Sequence, residues 1–268
     1  MESSNRRRSF SWKRAAPWFI PALFIILWFV LSNTGRIPPY LMPRPSDIIT
    51  SGMNYLFGKP ESGPYAGRFL NDAGASLVRV GLGFALAALL GIPLGVMSGR
   101  VPAARNLLSS SINGLRAVPG ICWLPLALVW FGIGIKTTVF LVALAAFFPI
   151  YLNAAAGARQ INMIWYQSGA MMGIGRVHGV FAILLPASMP YILTGLRLGL
   201  GISWAYLVLG ELTGVPNGLG AVIMDARMLG RIDIIVVGII IIAVMGRMSD
   251  LLLKTVMFTC FKSARRSP

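Results

Sequence analysis

Long apolar runs constrain this chain more than any other feature. They cover residues 15–31, 80–98, 107–135, 138–158, 192–212 and 232–258. A helix that crosses the hydrocarbon core of a bilayer needs roughly 17–25 apolar residues. Within lipid no water satisfies the backbone, so a spanning segment must bond to itself as a helix or close into a barrel. Runs of this length lack the alternation of barrel strands and predict helices. The expected fold is therefore all-α, a polytopic membrane helix bundle with about six transmembrane helices. Composition agrees: charged residues make up 12% of the chain, against about 25% in soluble domains.

The chain divides accordingly. Residues 1–14 form a basic N-terminus, 15–258 the membrane domain and 259–268 a basic tail. The first run lacks a small-residue cleavage site with a polar exit and reads as a retained helix, with Trp12, Trp18 and Trp28 as interfacial anchors. Residues 32–75 are rich in proline and glycine and predict an extramembrane loop, with one short helix started at Ser46-Asp47. The third run contains Arg116, Pro119 and Pro125 and reads as a kinked span. The segment 159–186 is too long for a tight turn. It predicts two short helices, 165–170 and 177–185, separated by Gly173 and Gly175. With six spans and the N-terminus inside, thirteen of the 24 Lys and Arg residues fall on one side and seven on the other. Basic residues favour the cytoplasmic side, so both termini and the 159–186 segment are expected in the cytoplasm.

Several chemistries are excluded. The net charge is +16, but no basic stripe with interleaved aromatics points to nucleic acid. Cys122 and Cys260 sit among apolar residues, and His178 has no clustered partner. No metal site, cofactor site or catalytic set is expected. Residues Gly132–Thr137, GIGIKT, carry Ile135 where a phosphate loop requires glycine before the lysine. ATP hydrolysis must then come from a partner. Charged groups inside spans are costly and mark functional candidates. Arg79 and Arg197 lie near span ends and can snorkel. Arg247 and Asp250 can pair at i, i+3. Arg116 and Glu211 remain candidates for a polar path. Gly91/Gly95 and Gly195/Gly199 form G-x-x-x-G pairs, which serve either packing within the chain or a subunit interface.

The cytoplasmic segment carries a resemblance. Gln167 to Pro186 reads QSGAMMGIGRVHGVFAILLP and resembles the signature of binding-protein-dependent ABC importer permeases: Glu-Ala-Ala, a glycine, then an apolar residue and Leu-Pro. Gly173, Leu185 and Pro186 match, while Gln167, Ser168 and Gly169 stand where Glu-Ala-Ala is usual. Residues 41–49, 76–99, 115–134, 147–159 and 185–212 are similar to permeases of the nitrate, sulfonate and taurine importers. The resemblance implies a type I importer permease of a bacterial inner membrane, working as a pair, most simply a homodimer. Two cytoplasmic ATPase subunits and an extracytoplasmic solute-binding protein would complete it. It also implies that the 159–186 segment couples the spans to the ATPases, and that the solute is a small anion. A secondary carrier would favour intramembrane carboxylates for ion coupling, and a membrane enzyme would need a catalytic set. These are the alternative readings.

The missing phosphate loop gives a first test. The purified chain is expected to hydrolyse no ATP in a phosphate-release assay and to gain turnover only with an ATPase subunit; stringently purified chain that turns over ATP would contradict this.

Overall fold

The computed structural model describes residues 12–34, 38 and 41–260. The basic residues Arg6, Arg7, Arg8, Arg36, Lys262, Arg265 and Arg266 lie outside these. The described residues form helices α1 (Trp12–Asn33), α2 (Pro45–Phe57), α3 (Phe69–Arg100), α4 (Pro102–Ala117), α5 (Trp123–Phe131), α6 (Ile135–Gln160), α7 (Met163–Met171), a single turn α8 (Arg176–Gly179), α9 (Leu185–Glu211), α10 (Leu219–Met228) and α11 (Ile232–Cys260). Among the described residues four helices are long and apolar enough to cross a membrane: α3, α6, α9 with the turn before it, and α11. The pair 102–117 and 120–131, bent by 83°, makes a fifth if taken as one span. Its break lies at Val118-Pro119, where proline cannot continue the preceding helix, as the sequence predicts. Helix α1 has 22 residues, or about 33 Å at 1.5 Å each.

Three boundaries differ from the sequence reading. Helix α3 starts at Phe69, eleven residues before the apolar run, because Asp72 and Ser76 in its first turns are buried and hydrogen-bonded within the protein. Helix α2 begins one residue before Ser46-Asp47, with Pro45 in its first turn, where the missing N–H costs nothing. The second short helix of the 159–186 segment does not end before the fifth span. Its turn α8 passes through a π-helical turn, Val180–Leu184, straight into α9. The wide turn has a local cause. Pro186, in the first turn of α9, has no N–H and its ring would crowd the carbonyl four residues back. The N–H of Leu185 instead reaches the carbonyl of Val180.

The core is a sandwich of α3, α6 and α9, with α6 in the middle. Lipid offers no hydrophobic force between helices, so association depends on close van der Waals contact, and small residues permit it. A Cβ added at Gly83 would lie 2.6 Å from a Val142 methyl, at Gly95 2.7 Å from the Ala154 Cβ and at Gly99 2.7 Å from the Ala158 Cβ. On the opposite face of α6, a Cβ at Gly195 would lie 2.8 Å from the Asn153 Cβ and at Gly199 3.1 Å from Ile150. Both G-x-x-x-G pairs thus pack within the chain and are not left for a subunit interface. Gly95→Leu should force α3 and α6 apart and cost about 1–3 kcal/mol or more. A lowered melting temperature of the detergent-solubilised protein checks this, and an unchanged one would contradict the packing.

Candidate functional site

At one end of the bundle, the chain between α6 and α9 folds into a compact knob. The Asn162 side chain caps α7 by accepting from the Ile164 N–H at 3.1 Å. At the other end of α7, Gly173 adopts φ +82°, a conformation that costs any residue with a Cβ. The Ile174 N–H bonds to the Gly169 carbonyl and the Gly173 N–H to the Ala170 carbonyl, each at 3.0 Å. This 6→1 and 5→2 pair is the Schellman motif, which turns a chain sharply at a helix end. Gly175 has no such conformation. Gly169 is buried, and a Cβ there would meet the tip of Ile183. The glycine that departs from the usual alanine therefore seats the following helix against α7. Gln167 and Ser168 are exposed, and Leu185 is partly buried where α9 begins.

The outer face of the knob is apolar. Ile164, Trp165, Met171 and Met172 are all exposed, the two methionines at 89% and 81%. Residues 164, 168, 171 and 172 share one helix face by spacing. Behind the knob, the Arg100 guanidinium at the end of α3 lies 4.4 Å from the centre of the Tyr166 ring. Arg105 donates to the carbonyls of Ser98 at 3.4 Å and Gly99 at 3.0 Å.

Among the charged span residues, the structure separates those that brace from those that stay exposed. Glu211 is 0% exposed. Its carboxylate accepts from Arg79 at 2.6 Å, from Ser76 at 2.8 Å and from the Gly220 N–H at 2.8 Å. Arg79 also donates to the carbonyl and side chain of Asn217, at 2.7 and 2.6 Å. Asp72, likewise buried, accepts from Gly218 N–H at 3.1 Å and from Tyr55 at 3.2 Å. Burial, then the neighbouring Asp72 carboxylate, pushes the Tyr55 phenol above its usual range, so it stays a donor. Arg79 therefore does not snorkel; it fastens α3 to the α9–α10 connection. Residues 72, 76 and 79 lie on one helix face, a spacing visible in the sequence but hidden when the span is started at 80.

Arg116 is exposed at the end of α4 and lines a cavity of about 400 Å³ with Pro119, Gly120, Phe148, Pro149, Ile202 and Tyr206. Pro149 frees a carbonyl of α6 on this wall, a break tolerated where a cavity covers it. Arg197 meets Asp250 through two bonds, Nε to Oδ1 at 2.7 Å and Nη2 to Oδ2 at 2.9 Å. Arg247 reaches the same carboxylate at 3.4 Å. The expected i, i+3 pair exists, but the closer partner of Asp250 is on α9. His178 is exposed. Among the described residues no cluster of three or more His, Cys, Asp or Glu is placed to hold a metal.

An all-helical bundle with several helices long and apolar enough to span is the architecture of a multi-pass membrane protein. Comparison with known proteins agrees. Residues 91–256 match the family model for the binding-protein-dependent transport system inner membrane component. A Bacillus subtilis protein assigned as an aliphatic sulfonates transport permease, SsuC, is 32% identical over 91% of this chain and 85% of its own. The taurine transport system permease protein TauC of Escherichia coli is 31% identical over 86% of this chain and 82% of its own. A solved chain of the MetNI methionine ABC transporter, inward facing, superposes with a TM-score of 0.57 at 18% identity, covering 70% of this chain and 95% of that one; this likeness concerns the fold. The chain belongs to the binding-protein-dependent transport system inner membrane component family. It is a multi-pass permease subunit of an ABC importer, a transport component that associates with ATPase and solute-binding partners.

Removing one partner of the buried pair should leave an uncompensated charge. Glu211→Ala is expected to cost about 3–5 kcal/mol and to lower the melting temperature strongly, while Glu211→Ala with Arg79→Leu recovers part of the loss. Equal melting of the single variant and the parent would contradict the bracing role.

Proposed function

We propose that two copies of this chain form the path for a small oxyanion, and that the 159–186 knob carries the stroke of the ATPase subunits to that path. The observation that carries the reading is the knob itself: an exposed, largely apolar helix face, held in one shape by a glycine turn that only glycine adopts without strain. Such a face is too apolar to stay in water and suits a groove on a partner. The knob is tied to the bundle twice, through α6 before it and the unbroken helix into α9 after it. A partner that moves the knob must move those helices. Gln167, Ser168 and Gly169 shape its surface and core, and Leu185 and Pro186 join it to α9.

The orientation follows the charge asymmetry: knob, N-terminus and C-terminus in the cytoplasm. At the opposite end, α2 and the start of α11 enclose a polar notch of about 490 Å³ with Asp47, Thr50, Ser51, Arg231 and Asp233 on its walls. Ser51 donates to Asp233 at 2.5 Å, and Arg231 to the same carboxylate at 2.7 Å. This end is the docking surface for the solute-binding protein. An oxyanion is the solute class that the named relatives support, since they are permeases for sulfonates and taurine.

The reading is tested at Gly173. Arginine there must adopt a left-handed conformation at a cost of about 1–2 kcal/mol, or unwind the turn. Gly173→Arg should leave the protein inserted at normal levels but abolish ATPase co-purification or ATP-driven uptake. Gly175→Ala should retain both. Full ATPase retention and uptake in Gly173→Arg would show that the coupling contact lies elsewhere.

A further inference from the structure

We propose that Arg116, Arg197 and Arg247 form a positive belt around the exposed face of α9 and set the charge selectivity of the path. The belt rests on the permease reading above and assigns its selective element to particular side chains.

The three arginines lie at the same depth. At 1.5 Å per residue, Arg197 is about 18 Å from the start of α9 and about 21 Å from its end, and Arg247 is about 22 Å and about 20 Å from the two ends of α11. The cavity that Arg116 lines is walled by Ala145, Phe148 and Pro149, near the middle of α6. All three fall well inside a hydrocarbon core of about 30 Å. None is buried by the chain: the side chains of Arg197 and Arg247 are 41% and 67% exposed, and Arg116 is exposed beside the 400 Å³ cavity. Exposed charge at this depth cannot rest in lipid and marks a wet or protein-covered surface.

The shape of α9 decides which face this is. Its exposed residues, Arg197, Gly201, Thr194, Ala205, Leu198 and Ile202, sweep an arc of about 140° at 100° per residue. Arg197 stands at one edge of that arc, joined to Asp250 and Arg247 of α11. Ile202 stands at the other, on the cavity that Arg116 lines. Between them lie a threonine, a glycine, an alanine and Leu198, and the first three leave room. The lipid-suited face of α11 looks different, with Ile239, Ile240, Val244 and Leu252 exposed. Charge balance gives the sign. Asp250 is the acid in contact with this belt, since Glu211 is consumed by Arg79 and Asp233 by Arg231 and Ser51. Two positive charges per chain stay uncompensated, and Lys254, over the Phe258 ring at 5.4 Å, adds to them from the next turn of α11. An anion passing α9 meets donors that are already held in place, while a cation is repelled. The guanidinium of Arg197 is fixed by its bidentate bond, so Arg247, held by one longer contact, is the group free to follow a moving solute.

The test needs no knowledge of the solute. In the assembled importer with Cys122 and Cys260 replaced by serine, Gly201→Cys places a thiol in open space at mid-arc. Its reaction with an anionic sulfonatoethyl methanethiosulfonate is compared with that of the cationic trimethylammonium analogue. Two unit charges within about 10 Å across water should favour the anion on the order of tenfold, and Arg247→Gln should cut that preference about threefold. Leu89→Cys, on the exposed apolar face of α3, should react with neither. Ala205→Cys serves if Gly201→Cys does not assemble. An unreactive thiol at both positions, or equal rates for the two reagents, overturns the belt. ATPase co-purification is measured on the same samples and reports on the permease reading independently: a bound ATPase with equal rates refutes the belt alone, and an unbound ATPase refutes the reading beneath it.

Discussion

Everything in this molecule depends on three helix backbones approaching more closely than ordinary side chains allow. Gly83, Gly95 and Gly99 of α3, Gly195 and Gly199 of α9, and the alanines of α6 remove the atoms that would hold α3, α6 and α9 apart. Close backbones give dense van der Waals contact, the main attraction between helices in lipid. Dense contact also makes the sandwich resist bending, because packed interiors are not continuously deformable. A stiff core lets a displacement at one end appear at the other.

The two ends are finished in opposite ways. At one end, Asp72, Ser76, Arg79 and Glu211 pair with one another and with the backbone of residues 217–220, so that α3, α9 and α10 hold together. Each buried charge there has a partner, which is what keeps it affordable in a low-dielectric setting. At the other end the knob is left apolar and bare. One end is closed on itself, and the other leaves apolar side chains exposed.

Much of this was legible in the residues. The apolar runs marked the helices long enough to span, Pro119 marked the bend, and Gly173 marked the turn after α7. The knob followed from family likeness and local chemistry, both of which act over a few residues. What could not be read was long-range pairing. Arg79 meets Glu211 across 132 positions and Arg197 meets Asp250 across 53, and no periodicity within one helix names a partner on another. The same limit misplaced the start of α3. Asp72 and Ser76 look like loop when judged by hydropathy, and they are helix because distant groups satisfy them. The second short helix of the 159–186 segment was also read as separate from the fifth span, whereas a π-helical turn lets the chain run into α9 without a break.

The central claim is that the knob and the sandwich move as one body. Spin labels at Ser168 on α7 and Ala205 on α9 in the assembled importer test it through pulsed dipolar distances, with and without ATP. The account predicts that the Ser168–Ala205 distance within a chain stays constant while the Ser168–Ser168 and Ala205–Ala205 distances between the two copies both change on ATP binding. A knob that moves relative to α9 within its own chain, with the Ala205–Ala205 distance unchanged, would contradict it.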